Sequence, residues 1–379
     1  MTLSRRELLS AIIAAPMLNL GRYRVFDWQQ REYSARAIKL VTENPVIDML
    51  SPLTLNFPLG NQWLTNPERL TDAEFKRFRD SEIDVFHIAV GLGGFESALQ
   101  FVAGHNAFVA GNTERFMRID SPGDLKRVHG SGKVGVLIGI QNSSHFRTPI
   151  DVNLFHGLGQ RVSQLTYNSR NLIGNGSTER NDSGISDFGV AIIQRMNEVG
   201  MAVDVSHCGD QTTLQAFEIS KKPVLITHSN ARALANGHPR TKPDEAIQAV
   251  KKSGSVMGIT GVRNFVTAKE PTTIEHLLDH YDHVKKLIGS EHLGIGSDID
   301  LDGYDDMPPE EYRRLKAGYK DSYAFRDKID IDEVAHPKRV FDLTEGLIRR
   351  KYSDAEIIGI LGGNFTRVLT EIWTVPARS

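Results

Sequence analysis

Short apolar runs rich in β-branched residues alternate along this chain with longer segments of helical period, the pattern of repeated βα units. Eight such runs can be read, at residues 45–48, 85–90, 134–140, 163–167, 202–206, 224–227, 255–260 and 293–297. Helical patterns stand between them at 72–81, 189–199, 212–220 and 243–252, and no repeat, low-complexity tract or linker breaks the series. Strand, helix and strand in succession return the chain to one parallel sheet, and eight such units close on themselves. The expected fold is therefore α/β, a (β/α)8 barrel of the TIM type spanning 36–379 as one domain. Helical patterns beyond residue 307 are expected to form a C-terminal extension around the barrel's outside. A chain of 379 residues also has room for two or three domains, but such barrels commonly exceed about 250 residues as single units.

Three of these runs release a chemically capable side chain at the same end. VDVSH closes at His207, VLITH at His228 and LGIGSD at Asp298. The C-terminal strand ends of a barrel supply its catalytic groups, and zinc takes neutral imidazole nitrogen and carboxylate oxygen. A single polar residue often ends a strand merely because the strand meets water; three together favour a metal site on the rim. The loop at 170–187, rich in Asn, Gly and Ser, has the length of a segment that covers or shapes such a site.

Composition narrows the partners. With 45 basic and 47 acidic side chains the net charge is −2, so nothing favours nucleic acid or an anionic membrane surface, and a small molecule or dipeptide is the default ligand. A lone cysteine, Cys208, excludes an internal disulfide and reads as packing beside His207. Ser4-Arg5-Arg6-Glu7-Leu8-Leu9 followed by a short apolar stretch reads as a twin-arginine export signal over 1–21, too short to span a bilayer. The expected location is the bacterial periplasm, with membrane association if the signal is retained. Pairing of two barrels into a homodimer stays open.

The segments VDVSH, VLITHSNARAL, HPRTKPDEAI, LGIGSDID and GGNFTRVL occur in this order, and together they resemble the renal or membrane dipeptidase family. These are metallopeptidases of the amidohydrolase superfamily, and the resemblance covers nearly all of the chain beyond about residue 36. It implies an amidohydrolase-like barrel that holds two zinc ions and cleaves dipeptides, with some activity on dehydropeptides and β-lactams. It also implies that His207 and His228 hold the second zinc and that Asp298 handles the proton of the attacking water. Arg240 would grip the substrate's C-terminal carboxylate through its planar fork, with nearby Arg232 an ion-pair partner or a competitor for that role.

The departures from the family pattern fall on one side of the site. Where the family's first strand ends in a His-x-Asp pair for the first zinc, this chain reads Val46-Ile47-Asp48-Met49-Leu50-Ser51-Pro52, and Leu50 and Pro52 offer no donor atom. The bridging glutamate becomes Gln141, which is neutral, and the histidine that steadies the oxyanion becomes Asn168, which donates a hydrogen bond but no charge. The pattern points to one zinc, or another divalent ion, on His207 and His228, with Gln141 or His145 as a third ligand. The expected activity is hydrolysis of a dipeptide or small carboxylated amide. The alternatives are a non-hydrolytic isomerase, tautomerase or lyase, and an inactive periplasmic protein that binds a carboxylated ligand through Arg240.

Overall fold

The computed structural model describes residues 22–23 and 32–375; the twin-arginine pattern of residues 1–21 lies outside the described residues. Eight parallel strands form a closed ring: β1 (Ile47–Asp48), β2 (Val85–Ile88), β3 (Val134–Ile140), β4 (Gln160–Gln164), β5 (Ala202–Asp204), β6 (Val224–Ser229), β7 (Met257–Ile259) and β8 (Leu293–Ile295). Neighbours pair in chain order, and Ile295 of β8 opposite Asp48 of β1 closes the circle. All seven residues of β3 are buried, as befits a strand with helices outside and side chains filling the interior.

The four helical patterns between strands appear as Asp72–Asp80, Asp187–Val199, Asp210–Ile219 and Asp244–Lys252. Local chemistry sets their ends. Before Asp187–Val199 the Ser186 side chain accepts from Gly189 N, and after it Gly200 takes the left-handed conformation (φ 80°) that turns the chain into β5. Two differences from the sequence reading stand out. A ninth strand, Phe116–Arg118, pairs with the first half of β3, while β4 pairs with the second half. Three residues, Phe-Met-Arg, are too few to show an alternation. β4 begins at Gln160, earlier than the apolar pattern suggests, because Gln160 is fully buried and its amide bonds Val162 O.

The two ends of the barrel differ in chemistry. At the N-terminal end Ile47, Val85, Leu137, Val162, Ala202 and Leu225 form an apolar cluster with Phe365, Val368, Leu369 and Ile372 of the helix Asn364–Trp373. That helix plugs the bottom. Further up, the interior is polar. His87 of β2 bonds Met49 O through Nδ1 (2.6 Å), and a Cβ at Gly139 would stand 2.1 Å from its Nε2, so β3 tolerates only glycine there. Asp48, fully buried, accepts from Ser297 N (2.8 Å) and Ser297 Oγ (2.6 Å) and pairs with Arg339 Nη2 (3.1 Å).

The C-terminal region divides in two. Helices Arg339–Arg349, Asp354–Ile358 and Asn364–Trp373 pack on the barrel as expected. The stretch from 307 to 332 does not stay on the outside. With its helix Pro309–Ala317 it lies over the C-terminal mouth, where Lys320 Nζ reaches Thr178 O (3.3 Å) and Asn264 Nδ2 reaches Ala324 O (2.6 Å). Its own helix has no buried residue, so a pattern of period 3.6 could not reveal what it covers.

The Asp48–Arg339 pair supports a stability prediction. Asp48→Ala leaves Arg339, 3% exposed, as a buried charge without a counter-ion, and breaking such a pair costs about 3–5 kcal/mol. Urea denaturation should show a loss of that order; a change below about 1 kcal/mol would remove the pair from any structural role.

Candidate active site

The strand ends place the site. Asp204 of β5 accepts from Ser206 N (3.0 Å) and Thr227 N (3.1 Å), and this carboxylate fixes the β5 and β6 exits relative to one another. His207 and His228 follow directly, with Nε2 atoms 3.0 Å apart. Behind them the HPRTK segment crosses under the same exits. Arg240 donates to Ser206 O (2.6 Å) and His228 O (2.9 Å), and Lys242 Nζ donates to Val205 O (2.7 Å) and Cys208 O (2.8 Å).

Burial, reinforced by the Arg240 charge, holds both imidazole rings well below the usual histidine range, so both are neutral. Thr227 Oγ1 gives its proton to Asp204 Oδ2 (2.8 Å) and therefore accepts from His228 Nδ1 (2.8 Å). Asn168 turns its Oδ1 to His207 Nδ1 (2.8 Å), so that nitrogen is also the donor. Each Nε2 is then a bare lone pair, and two lone pairs face each other. Such an arrangement repels unless a cation lies between them. Two nitrogens on one tetrahedral zinc, each at about 2.0–2.1 Å, stand about 3.3 Å apart, so the pair fits one divalent ion. The Nδ1 partners are also those that orient metal-binding imidazoles.

A two-ion centre does not fit. Leu50 and Pro52 stand where its private ligands would be, and among the described residues no three His, Cys, Asp or Glu side chains converge. Of the two expected third ligands, His145 is not free to help. Both nitrogens of His145 are committed, Nδ1 to Asn142 O (3.0 Å) and Nε2 to Gln160 Oε1 (3.1 Å), and its ring packs against Phe155. Gln141 lines the cavity with its amide nitrogen tied to Ala89 O (2.8 Å), a bond that leaves the side-chain carbonyl oxygen uncommitted.

Asp298 leaves β8 in the left-handed conformation (φ 61°), with its N–H on Leu50 O (2.8 Å). Asn168 shares that conformation (φ 51°). Asn and Asp tolerate it better than other non-glycine residues, and such strain gathers at functional sites. Burial raises the Asp298 carboxyl to about 7; Arg240 and the Tyr304 hydroxyl (3.4 Å) oppose the shift, and Asp48 adds to it. A carboxyl that titrates near neutrality suits proton transfer.

These groups open on a cavity of about 700 Å³ at the barrel mouth. His207, Asn168, Asp298 and Gln141 line it; His228 and Arg240 stand behind. Arg240, fully buried, has Nη1 and Nη2 on main-chain carbonyls left over at the strand ends, which is why it does not face the cavity as a carboxylate grip should. Its Nε has no partner. Asn168 Nδ2 is likewise buried without a partner and remains a donor for a developing oxyanion.

Sequence reasoning missed the tyrosines. Tyr167 stacks on His207 (centroids 4.2 Å, 23°) and its hydroxyl bonds that of Tyr319 in the cover; Tyr304 and Tyr323 complete the group. Tyr167 adjoins Asn168 and was visible as a strand-end residue; Tyr304 lies six residues beyond Asp298, and Tyr319 and Tyr323 come from the segment that no pattern placed over the mouth. Cys208 packs as expected, its thiol pushed up to about 11 by burial. Arg232 pairs with Asp210 (2.5 Å), the structural alternative.

A closed parallel barrel with two histidines and a carboxylate at its strand ends has the architecture of the amidohydrolase-type barrels. Residues 34–317 match the family model described as membrane dipeptidase (peptidase family M19), and the chain belongs to that family. It is similar to Dipeptidase verJ of Clonostachys rogersoniana, 32% identical over 267 residues covering 67% of this chain and 65% of that one. Dipeptidase 3 of Rattus norvegicus is 28% identical over 259 residues, 66% of this chain and 48% of that one. The chain thus covers less than two thirds of either relative's length. Among solved structures, an amidohydrolase from Pseudomonas aeruginosa superposes with TM-score 0.77 at 27% identity, over 89% of this chain and 99% of that one. The probable dipeptidase PvdM from Pseudomonas aeruginosa, at 19% identity with TM-score 0.73 over 89% and 97%, shares the fold.

The Asp298 shift has a thermodynamic consequence. Its carboxyl binds a proton more tightly folded than unfolded, so stability falls as pH rises from about 4 to about 7. In chelator-treated protein, Asp298→Asn should flatten that slope in unfolding measurements across the window; an unchanged slope would assign it to other groups.

Proposed function

We propose that the protein is a dipeptidase-like hydrolase of a dipeptide or small carboxylated amide, working with one divalent ion, zinc or similar, held by His207 and His228. The two lone pairs facing each other at 3.0 Å carry this reading. When bound, such an ion supplies Lewis acidity to the scissile carbonyl and to water. The chain's own groups supply the rest. Asp298 takes the proton of the attacking water and returns it to the leaving nitrogen, a double duty for which a carboxyl near neutrality is suited. Asn168 fixes the His207 tautomer through Oδ1 and offers Nδ2 to the oxyanion. Arg240 adds positive charge behind the site, and the cover of 307–332 contributes Tyr319 and Tyr323 to the cavity lining.

A second reading, an isomerase, tautomerase or lyase, gains support from Leu50, Pro52 and Gln141. They remove the family's bridged pair of ions and its shared nucleophile, while Asp298 and the tyrosines still handle protons. Product mass separates the two, since only hydrolysis adds water. We also propose export by the twin-arginine route, which cell fractionation tests.

Metal analysis of protein folded in cells should give close to one equivalent. His207→Ala should lose both the ion and turnover while staying folded; two tightly held ions, or none, would sink the one-ion reading. Asn168→Ala frees the His207 ring and should weaken metal affinity by about 10–100-fold, read by competition with a chelating dye.

A further inference from the structure

The cavity has two halves of opposite chemistry. Asn168, His207 and Asp298 at the β4, β5 and β8 exits line one half, with Gln141 at the β3 exit and Tyr304 and Tyr319. The other half faces the β1 and β2 exits and the helices Phe57–Thr65 and Phe95–Gly111, where Leu50, Leu55, Trp63, Leu64, Leu92 and Phe108 form the wall. Trp63 and Phe108 stack (centroids 6.4 Å, 26°), which makes that wall rigid as well as apolar. The titratable group on this side, His105, is held by burial at about 4 with Nδ1 on Phe101 O (2.9 Å), so it is neutral. Among all the described residues that line the cavity, Asp298 is the sole carboxylate, and it stands where the two halves meet, its N–H on Leu50 O (2.8 Å).

These observations select a ligand. A free α-ammonium in the apolar half would lose its hydration without gaining a counter-ion, a penalty that burial of carbon cannot offset. An uncharged apolar group would gain from contact with the same wall. At about 700 Å³ the cavity is in the range of pockets for drug-sized ligands, well beyond the needs of a dipeptide of small residues. Leu50 and Pro52 take part directly, because they put carbon where the family places ligands for a cation.

We propose that the substrate is a carboxylated amide whose amine end is blocked by a bulky apolar acyl group, an N-acyl amino acid, with the acyl chain in the half walled by Leu50, Trp63 and Phe108. The proposal rests on the hydrolase reading for the fate of the amide, but not for the binding preference. Hydrolysis would break the amide C–N bond and add water, leaving a fatty or aromatic carboxylic acid and a free amino acid; the proton of the water passes through Asp298 to the departing amine.

The test is binding to the metal-loaded protein by titration calorimetry, with N-hexanoylglycine and phenylalanylglycine as probes. N-hexanoylglycine should bind at least about 10-fold more tightly, the gain expected from burying a few methylenes without stranding an ammonium. Leu92→Asp with Phe57→Asp puts carboxylates at the partly exposed edge of the apolar half and should bring the affinity ratio towards one. Equal or tighter binding of phenylalanylglycine to the wild type would overturn the proposal, as would an unchanged ratio in the folded variant. If N-hexanoylglycine binds with the expected preference but is not cleaved, the hydrolase reading fails while the binding preference stands; if both probes are cleaved without preference, the reverse holds.

Discussion

One buried carboxylate joins the first and last strands of this barrel. The seam between β1 and β8 is short, with one register pair, Ile295 with Asp48, and main-chain bonds from Met49 N to Ile295 O (2.8 Å) and from Asp298 N to Leu50 O (2.8 Å). Asp48 reinforces it by accepting from both the amide and the hydroxyl of Ser297 and by pairing with Arg339, which also donates to Asp300 O (2.8 Å) and Ser51 Oγ (2.9 Å). A charge so deeply buried is tolerable only when its partners are fixed on all sides. Because Ser297 precedes Asp298, the device that closes the barrel also aims the site's carboxylate. The helix that carries Arg339 is thus part of the site's support although it lies far along the chain.

The same logic recurs at the β5 and β6 exits. Asp204 orders both through main-chain and hydroxyl bonds, and Arg240 and Lys242 neutralise the carbonyls that the ladder leaves unpaired. Tautomers follow from these contacts: Thr227 sets His228, and Asn168 sets His207. On the β1 and β2 side the polar framework ends and carbon takes over, with Leu50 at the boundary. On the proposed reading the chain holds one ion and a proton carrier on one side, while Leu50 and Pro52 put carbon on the other.

The sequence made the barrel legible because parallel strands with helices outside impose a repeated change of period, and seven of the eight strand positions show it clearly. It missed Phe116–Arg118, too short to carry a period, and the true start of β4, where buried Gln160 satisfies its amide locally. His207, His228 and Asp298 could be read because a strand end is a local fact. His145 as a ligand, and Arg240 as a group facing the cavity, could not be judged locally: each type has the right donors, and where those donors point depends on Asn142, Gln160 and the strand-end carbonyls.

By itself the sequence determined the architecture, the strand ends that carry His207, His228 and Asp298, and the absence of donor atoms at Leu50 and Pro52. Those depend on periodicity and on the presence or absence of donor atoms, properties that a linear string retains. The tertiary structure decided what the remaining side chains do. It turned two imidazoles so that their lone pairs meet, laid 307–332 over the mouth to add Tyr319 and Tyr323, and made an apolar wall from Leu50, Trp63 and Phe108. Those outcomes come from contacts between residues far apart in the chain, which no window of sequence contains.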